Sequence, residues 1–258
     1  MDTIIYNNRN KTPGQFDDHA QLSPRTKNLS AVTPEAVVGT IRQGVVVLNM
    51  LDLPAAIHDV EKILVHYPAI SIRTLEIAPP NPNSRALLHS LPDAEIPEEL
   101  FQLFETTEQC SFCWVDSSEK IFGRDFHYGG FTLLSPPKIF TLFHEYREYV
   151  KEIQKNGWDQ EEAGYAALVR DWSYWLPVFF FDNGDSFCID MREKSFPVVF
   201  LEHDVMDGGP NLHGLRIASD LGTLLDLWSQ VYFVECDWSL IVEDSGINPQ
   251  KFFEKKAD

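Results

Sequence analysis

The sequence predicts an α+β fold in which a mainly antiparallel sheet is packed by helices. Two patterns support this prediction. Residues 175–204 hold three apolar runs separated by turn-forming residues, which is typical of consecutive antiparallel strands. Residues 136–157 instead repeat their apolar side chains at helical spacing. The chain has 258 residues, of which 44% are hydrophobic, so it can bury a full core in one main domain.

The N-terminal elements are predicted from helix start signals. Thr33-Pro34-Glu35 combines an N-cap residue, a proline in the first turn and an acidic side chain. A second helix is expected to begin at Asp52 and to stop before Pro68. Residues 70–77 are expected to form a strand, and the proline-rich connector at 79–82 marks a boundary.

This boundary divides the chain into four predicted parts. Residues 1–32 are polar and form a flexible N-terminal tail. Residues 33–82 form an N-terminal helical appendage, residues 83–245 form the main domain, and residues 246–258 form a C-terminal tail.

Strands and helices alternate along the first half of the main domain. The aromatic run at 110–115 and the run at 129–134 are predicted strands. A long helix follows at Pro136-Pro137 and ends at Asn156-Gly157, residues that tolerate a left-handed C-cap. A second helix is expected from Asp159 onward.

The strands of the second half follow one another closely. The run at 179–181 leads into Asn183-Gly184, a dipeptide that favours a tight hairpin turn because it accepts positive φ angles. Residues 186–190 then alternate, with apolar side chains at the odd-numbered positions, which predicts a half-buried strand. Residues 197–201 supply a third apolar run.

Taken in order, these segments resemble the SUKH superfamily over roughly residues 84–242. The resemblance depends on the order of short motifs rather than on any one of them. The motifs are Ile96-Pro97-Glu98-Glu99-Leu100-Phe101, Leu176-Pro177, Asn183-Gly184-Asp185, Cys188-Ile189-Asp190, Pro197-Val198-Val199-Phe200, His203-Asp204, and a closing helix at Ile217-Ala218-Ser219-Asp220-Leu221 with Leu224, Leu225 and Trp228.

The resemblance implies a protein-binding module rather than an enzyme. Bacterial members of the superfamily are commonly immunity proteins that bind and neutralise a toxin domain, often a nuclease. The alternative that it implies is a regulatory or scaffold protein that binds cellular partners, as the fungal cell-wall assembly regulators do.

The formal net charge of −18 limits the classes of partner. A charge of this size repels nucleic acids and anionic membranes and attracts a basic protein. Between residues 182 and 207 there are seven acidic and two basic side chains, so the acidity is dense at the predicted hairpin. We therefore expect a basic protein partner, no direct binding of nucleic acid and no membrane contact.

Eight residues are candidate contacts for this partner. The acidic side chains and the histidine follow the predicted strand ends, and the two aromatic residues lie in a cluster too dense to be buried completely. The candidates are Asp182, Asp185, Asp190, Glu202, His203, Asp204, Trp172 and Tyr174.

No motif predicts catalysis, a metal or a cofactor. Cys110 and Cys113 have redox spacing, but a strand points them to opposite faces, so buried structural cysteines are expected. Residues 182–193 begin and end like a calcium loop but lack its central glycine. The N-terminus shows no secretory signal, which leaves a cytoplasmic location as the expectation. The oligomeric state stays open.

Overall fold

The computed structural model of the chain describes residues 51–91, 95–205 and 212–255. The predicted tail at 1–32, the helix start at 33–35 and the acidic residue Asp207 lie outside these residues.

The fold is α+β, as predicted, and its main sheet has seven antiparallel strands that pair in chain order. A separate two-stranded ribbon follows near the C-terminus. The strands of the main sheet are β1 (Ile70–Ile77), β2 (Cys110–Asp116), β3 (Tyr128–Leu133), β4 (Trp175–Phe180), β5 (Ser186–Asp190), β6 (Val198–Leu201) and β7 (Arg216–Ala218), and those of the ribbon are β8 (Val242–Glu243) and β9 (Gly246–Ile247).

Helices pack on both faces of this sheet. They are α1 (Leu53–Leu64), α2 (Ser84–His89), α3 (Glu98–Thr106), α4 (Pro136–Asn156), α5 (Trp158–Glu161), α6 (Ala163–Asp171), α7 (Leu221–Gln230) and α8 (Pro249–Lys255). None of the helices in the described ranges is both long enough and apolar enough to cross a membrane.

The helix ends follow the signals in the sequence. The Asp52 carboxylate accepts a hydrogen bond of 3.0 Å from the backbone N–H of Ala55, so it caps α1 as predicted. Helix α4 begins at Pro136 and ends before Gly157, which has a φ of +75°. Glycine is favoured there because a left-handed C-cap strains residues that carry a Cβ.

Two apolar clusters lie on opposite faces of the sheet, which we call the inner and outer faces. Phe187 and Ile189 of β5 belong to the main core on the inner face. Cys188, between them, packs on the outer face with residues of α4 and α6 such as Ile153 and Leu168. Strand β5 is therefore buried on both faces, and the prediction of a half-buried strand is wrong because α4 and α6 cover its second face.

The predicted domain limits also differ from the structure. Strand β1 pairs with β2 over its length, so residues 70–77 are part of the main sheet and 79–82 does not separate an appendage from it. The side chain of Phe252 in α8 is fully buried, so residues 246–255 are not a tail. The described residues form one compact unit.

Two predicted helices begin elsewhere. Residues 217 and 218 belong to β7, and α7 starts at Leu221 after Asp220, whose carboxylate accepts a hydrogen bond from the N–H of Thr223. The helix expected from Asp159 is two helices, because the backbone of Glu162 is extended.

Candidate functional site

The outer face of β1 to β3 is less covered than that of the central strands. On β2, the inner side chains of Phe112 and Trp114 are buried, whereas the outer side chains of Ser111 and Cys113 are partly exposed. The outer residues of β4 to β6 pack instead against α4 and α6. The described residues thus cover the outer face of β1 to β3 less completely than that of β4 to β6.

A cleft with a volume of about 720 Å³ lies on this open face. We call it the acidic cleft and define it by Arg73, Cys113, Tyr128, Gly130, Asp182 and Glu235, which all line it. A smaller cleft of about 300 Å³ adjoins it, shares Tyr128 and Glu235 with it, and adds Asp185, Glu202 and Asp237 to the lining. The two clefts lie side by side next to the hairpin between β4 and β5, and we call them together the acidic depression.

Gly130, in the lining of the acidic cleft, lets β3 approach β2 closely. Its φ is +154°, and a Cβ at this position would lie 2.4 Å from the carbonyl oxygen of Phe112. Arg73 stands at the rim, where the register of β1 against β2 shifts between Ile72 and Thr74. Such a bulge turns a side chain of an edge strand away from the regular pleat.

The hairpin brings Asp182 and Asp185 to the cleft in different states. Its loop has three residues, because the N–H of Phe181 bonds to the carbonyl of Asp185 and the N–H of Gly184 bonds back to Phe181. Only Gly184 in this loop has a positive φ, of +103°. The structure thus has a hairpin at Asn183-Gly184, as the sequence predicted, with a three-residue loop. The side chain of Asp182 is exposed.

Asp185 is almost buried and is bound to His203. The Asp185 carboxylate accepts a hydrogen bond of 3.0 Å from the His203 backbone N–H and lies 2.8 Å from Nδ1 of the same residue. It also accepts a hydrogen bond of 2.6 Å from the Asn183 side chain. A Cβ on Gly184 would lie 3.1 Å from the His203 ring, so glycine there permits the approach. This pair therefore joins the hairpin to the end of β6.

Glu235 reaches the cleft from a strained segment after α7. Tyr232 and Phe233 have φ values of +60° and +53°. Residues with a Cβ pay about 1–3 kcal/mol for such a conformation. Two indole N–H groups hold it: Trp114 donates to the Tyr232 carbonyl at 2.7 Å, and Trp228 donates to the Val234 carbonyl at 2.8 Å.

The electrostatics of the cleft disfavour further negative charge. Burial, followed by the nearby Asp182 and Asp185, raises the pKa of Glu235 to about 7. Burial and Glu235 raise the pKa of Tyr128 to about 12. Within the described residues, the Glu235 carboxylate has no hydrogen-bond or ion-pair partner. The site therefore holds a carboxyl group that a cation could neutralise.

The pKa of the Cys113 thiol is also raised. Burial is the main cause, and Asp182 and Glu235 add to it, while Arg73 opposes it. A raised pKa keeps the sulfur protonated, so it is a poor nucleophile. Cys110 lies on the inner face, as strand alternation predicted.

Of the other predicted contacts, Asp190 is placed in a buried ionic network. It is 5% exposed and accepts hydrogen bonds from the indole of Trp175 at 3.1 Å and from Nε of Arg192 at 2.9 Å. Arg192 also donates to Asp171, which is 2% exposed. The proposed surface role of Asp190 is therefore wrong, because its carboxylate is used to pair Arg192.

The aromatic candidates and the remaining polar candidates also include both buried and exposed side chains. Trp172 is buried and stacks on Tyr146, with ring centroids 4.5 Å apart, so it is a core residue. Tyr174 is 48% exposed but lies against Arg192, with the guanidinium 5.6 Å from its ring. Glu202 is half-buried and accepts a hydrogen bond of 3.0 Å from the N–H of Leu212. Asp204 is exposed.

The structure therefore brings Asp182, Asp185, Glu202 and His203 together at the acidic depression. Asp190 lies at the other end of β5. Trp172 and Tyr174 lie just before β4, the strand with which that end of β5 pairs. Glu235 is not among the residues predicted from the sequence, because no motif singles it out. The one signal for it is the pair of acids that flank Cys236 after a predominantly apolar helix.

Among residues 51–91, 95–205 and 212–255, no group of three or more His, Cys, Asp or Glu side chains is arranged to hold a metal ion. No protein-family model, curated protein or solved structure matches this chain.

Proposed function

We propose that this chain is a protein-binding module that binds a basic partner through the acidic depression. We propose further that it acts as an immunity protein, and that the partner is a toxin domain, of the nuclease class, which it neutralises. The observation that supports the binding role is the acidic cleft itself, which places the carboxylates of Asp182 and Glu235 on an open sheet face.

Charge gives this proposal a physical reason. A nuclease surface that contacts phosphates is basic, and a protein of net charge −18 that covers it competes with the nucleic acid. The long-range field of such a protein also increases the rate of association with a cationic partner, and salt screens this effect.

The immunity role draws on the resemblance of residues 84–242 to the SUKH superfamily. The motifs at Asn183-Gly184-Asp185 and His203-Asp204 fall beside the depression, where Asp185 and His203 bind one another. We assign this pair a structural role, because both the backbone and the ring of His203 contact the same carboxylate. The proposal includes no catalytic step.

The test is a pull-down with the full chain from lysate and secretions of its own source cells at low salt, followed by mass spectrometry. We expect one basic protein with toxin or nuclease activity, released as salt increases, and inhibition of that activity by the pure chain. Recovery of several cell-wall or regulatory proteins would instead support the scaffold alternative. An inhibitory complex whose affinity is independent of salt would contradict the electrostatic part of the proposal.

A further inference from the structure

We infer that a lysine or arginine side chain of the bound protein enters the acidic cleft and pairs with Glu235, while the segment that carries it covers the open face of β1 to β3. This inference rests on the proposed function, and it specifies the chemistry and the position of the contact.

The cleft is large enough to admit a long side chain. Its volume of about 720 Å³ falls in the range of pockets that enclose a small-molecule ligand, roughly 300–1,000 Å³. Part of its lining along β2 and β3 consists of small residues, namely Ser111, Cys113, Gly130 and Thr132. A long aliphatic stem can lie against such a wall while its charged end reaches a polar group.

The charge of the lining selects a cation rather than a neutral or anionic group. Carboxylates face the depression from the hairpin, from the end of β6 and from the segment after α7, whereas Arg73 is the one cation that lines either cleft in the described residues. Arg73 is exposed at the rim and so can remain in solvent when the cleft is filled. The complementary occupant is therefore a basic segment of another protein.

The position of Glu235 depends on an energetically unfavourable backbone conformation. The strained backbone at Tyr232 and Phe233 presents Glu235 to the cleft, and the described residues offer its carboxylate no partner. A cation that enters would supply that partner and would favour the ionised form. Since the pKa of free Glu235 is about 7, binding would release a proton and would strengthen as pH rises from 6 to 8.

Other titratable or charged groups lie near Glu235 on every neighbouring element. The contribution of Glu235 to the pH dependence of binding must therefore be measured by substitution. The neighbouring groups are Arg73 on β1, Cys113 on β2, Tyr128 on β3, Asp182 and Asp185 in the hairpin, Glu202 and His203 at the end of β6, and Cys236 and Asp237 next to Glu235 in the chain.

The test uses the full chain and a hexalysine peptide as the probe, with affinity measured by titration calorimetry at low salt. The variants are E235Q and, as a matched control with the same loss of charge, E161Q in the exposed turn of α5. At pH 8 we expect E235Q to bind about tenfold more weakly, as for the loss of a charge-assisted hydrogen bond, and E161Q to bind within about twofold of the original chain.

The pH dependence gives a second measurement. The unaltered chain and E161Q should bind about tenfold more weakly at pH 6 than at pH 8, and E235Q should lose most of this difference. Equal affinities of E235Q and E161Q, with the same pH dependence, would overturn the inference. So would self-association of the chain that E235Q abolishes, because the occupant would then be a second copy.

The outcomes separate this inference from the proposed function. If a toxin is captured and inhibited equally by the unaltered chain and by E235Q, the contact at Glu235 is wrong and the proposed function stands. If hexalysine binding depends on Glu235 but no toxin is inhibited, the cleft binds cations as inferred and the immunity role is wrong.

Discussion

Four carboxyl groups of this chain show how strongly the surroundings of a residue determine its role. Burial opposes the ionisation of Asp190, but hydrogen bonds from Arg192 outweigh it and hold its pKa below the usual value. The same balance, with hydrogen bonds from His213 and Arg170, lowers the pKa of Asp171. Asp185 is bound by His203. The pKa of Glu235, by contrast with those of Asp190 and Asp171, is raised.

The raised pKa of Glu235 predicts that E235Q stabilises the free chain at high pH. The folded form binds this proton more tightly than the unfolded form does, so the stability it contributes is complete below pH 4.5 and is lost as pH rises through about 7. Glutamine keeps the shape and cannot ionise. Because solvent screens part of the interaction, we expect E235Q to be more stable by about 1 kcal/mol at pH 8.

Urea unfolding of the chain and of E235Q at pH 4 and pH 8 measures this effect. The two should be equally stable near pH 4, where both side chains are neutral. A variant that is less stable than the original at pH 8 would show that the carboxylate has a stabilising structural role. A stabilised variant with weaker cation binding would instead fit a residue retained for function.

At the scale of elements, the close contact of β2 with β3 shapes the cleft. Gly130 pairs with Cys113 across the two strands, and its lack of a side chain permits this close approach. The open edge of the sheet, β1, adds Arg73 through its bulge. The strained segment before Glu235 is bonded to β3 as well, through the N–H of Glu235 and the carbonyl of Tyr128 at 3.3 Å.

Alanine substitution of two glycines distinguishes the destabilising effect of a steric clash from that of backbone strain alone. Both Gly130 and Gly157 have positive φ, but a Cβ on Gly157 has no atom within 4 Å, whereas one on Gly130 meets backbone atoms at 2.4 and 2.8 Å. We expect G157A to destabilise the fold by about 1 kcal/mol and G130A by at least about 3 kcal/mol. Similar losses for the two variants in urea unfolding would contradict the contact at Gly130.

At the scale of the whole molecule, the C-terminal helix completes the main core. The ring of Phe252 is fully buried, and its centroid lies 5.6 Å from that of Phe122 and 4.9 Å from that of Phe126. The neighbouring Phe253 is partly exposed. Residues distant in sequence thus share one core, which also includes Tyr232 of the strained segment near the cleft.

Replacement of Phe252 by alanine should therefore destabilise the entire fold. We expect F252A to lose about 3 kcal/mol, since it removes a large buried ring and leaves a cavity, and F253A to lose about 1 kcal/mol. Thermal unfolding of both variants checks this difference. If F252A unfolded at the same temperature as F253A, the C-terminal residues would behave as the tail that the sequence predicted.

The sequence by itself determined the local features of this protein. It determined the cap of α1 at Asp52, the end of α4 at Gly157, the order of the central strands and the net charge of −18. These depend on residues close together in the chain or on composition, so periodicity and turn chemistry suffice to predict them.

Only the tertiary structure decided which polar residues form the site. Burial of Asp190 requires Arg192 and Trp175 to converge on it, and burial of both faces of β5 requires α4 and α6. Glu235 lines the cleft because the segment after α7 contacts β3, although the two are more than 100 residues apart in the sequence. Contacts at such separations depend on how the whole chain packs, and no local pattern encodes them.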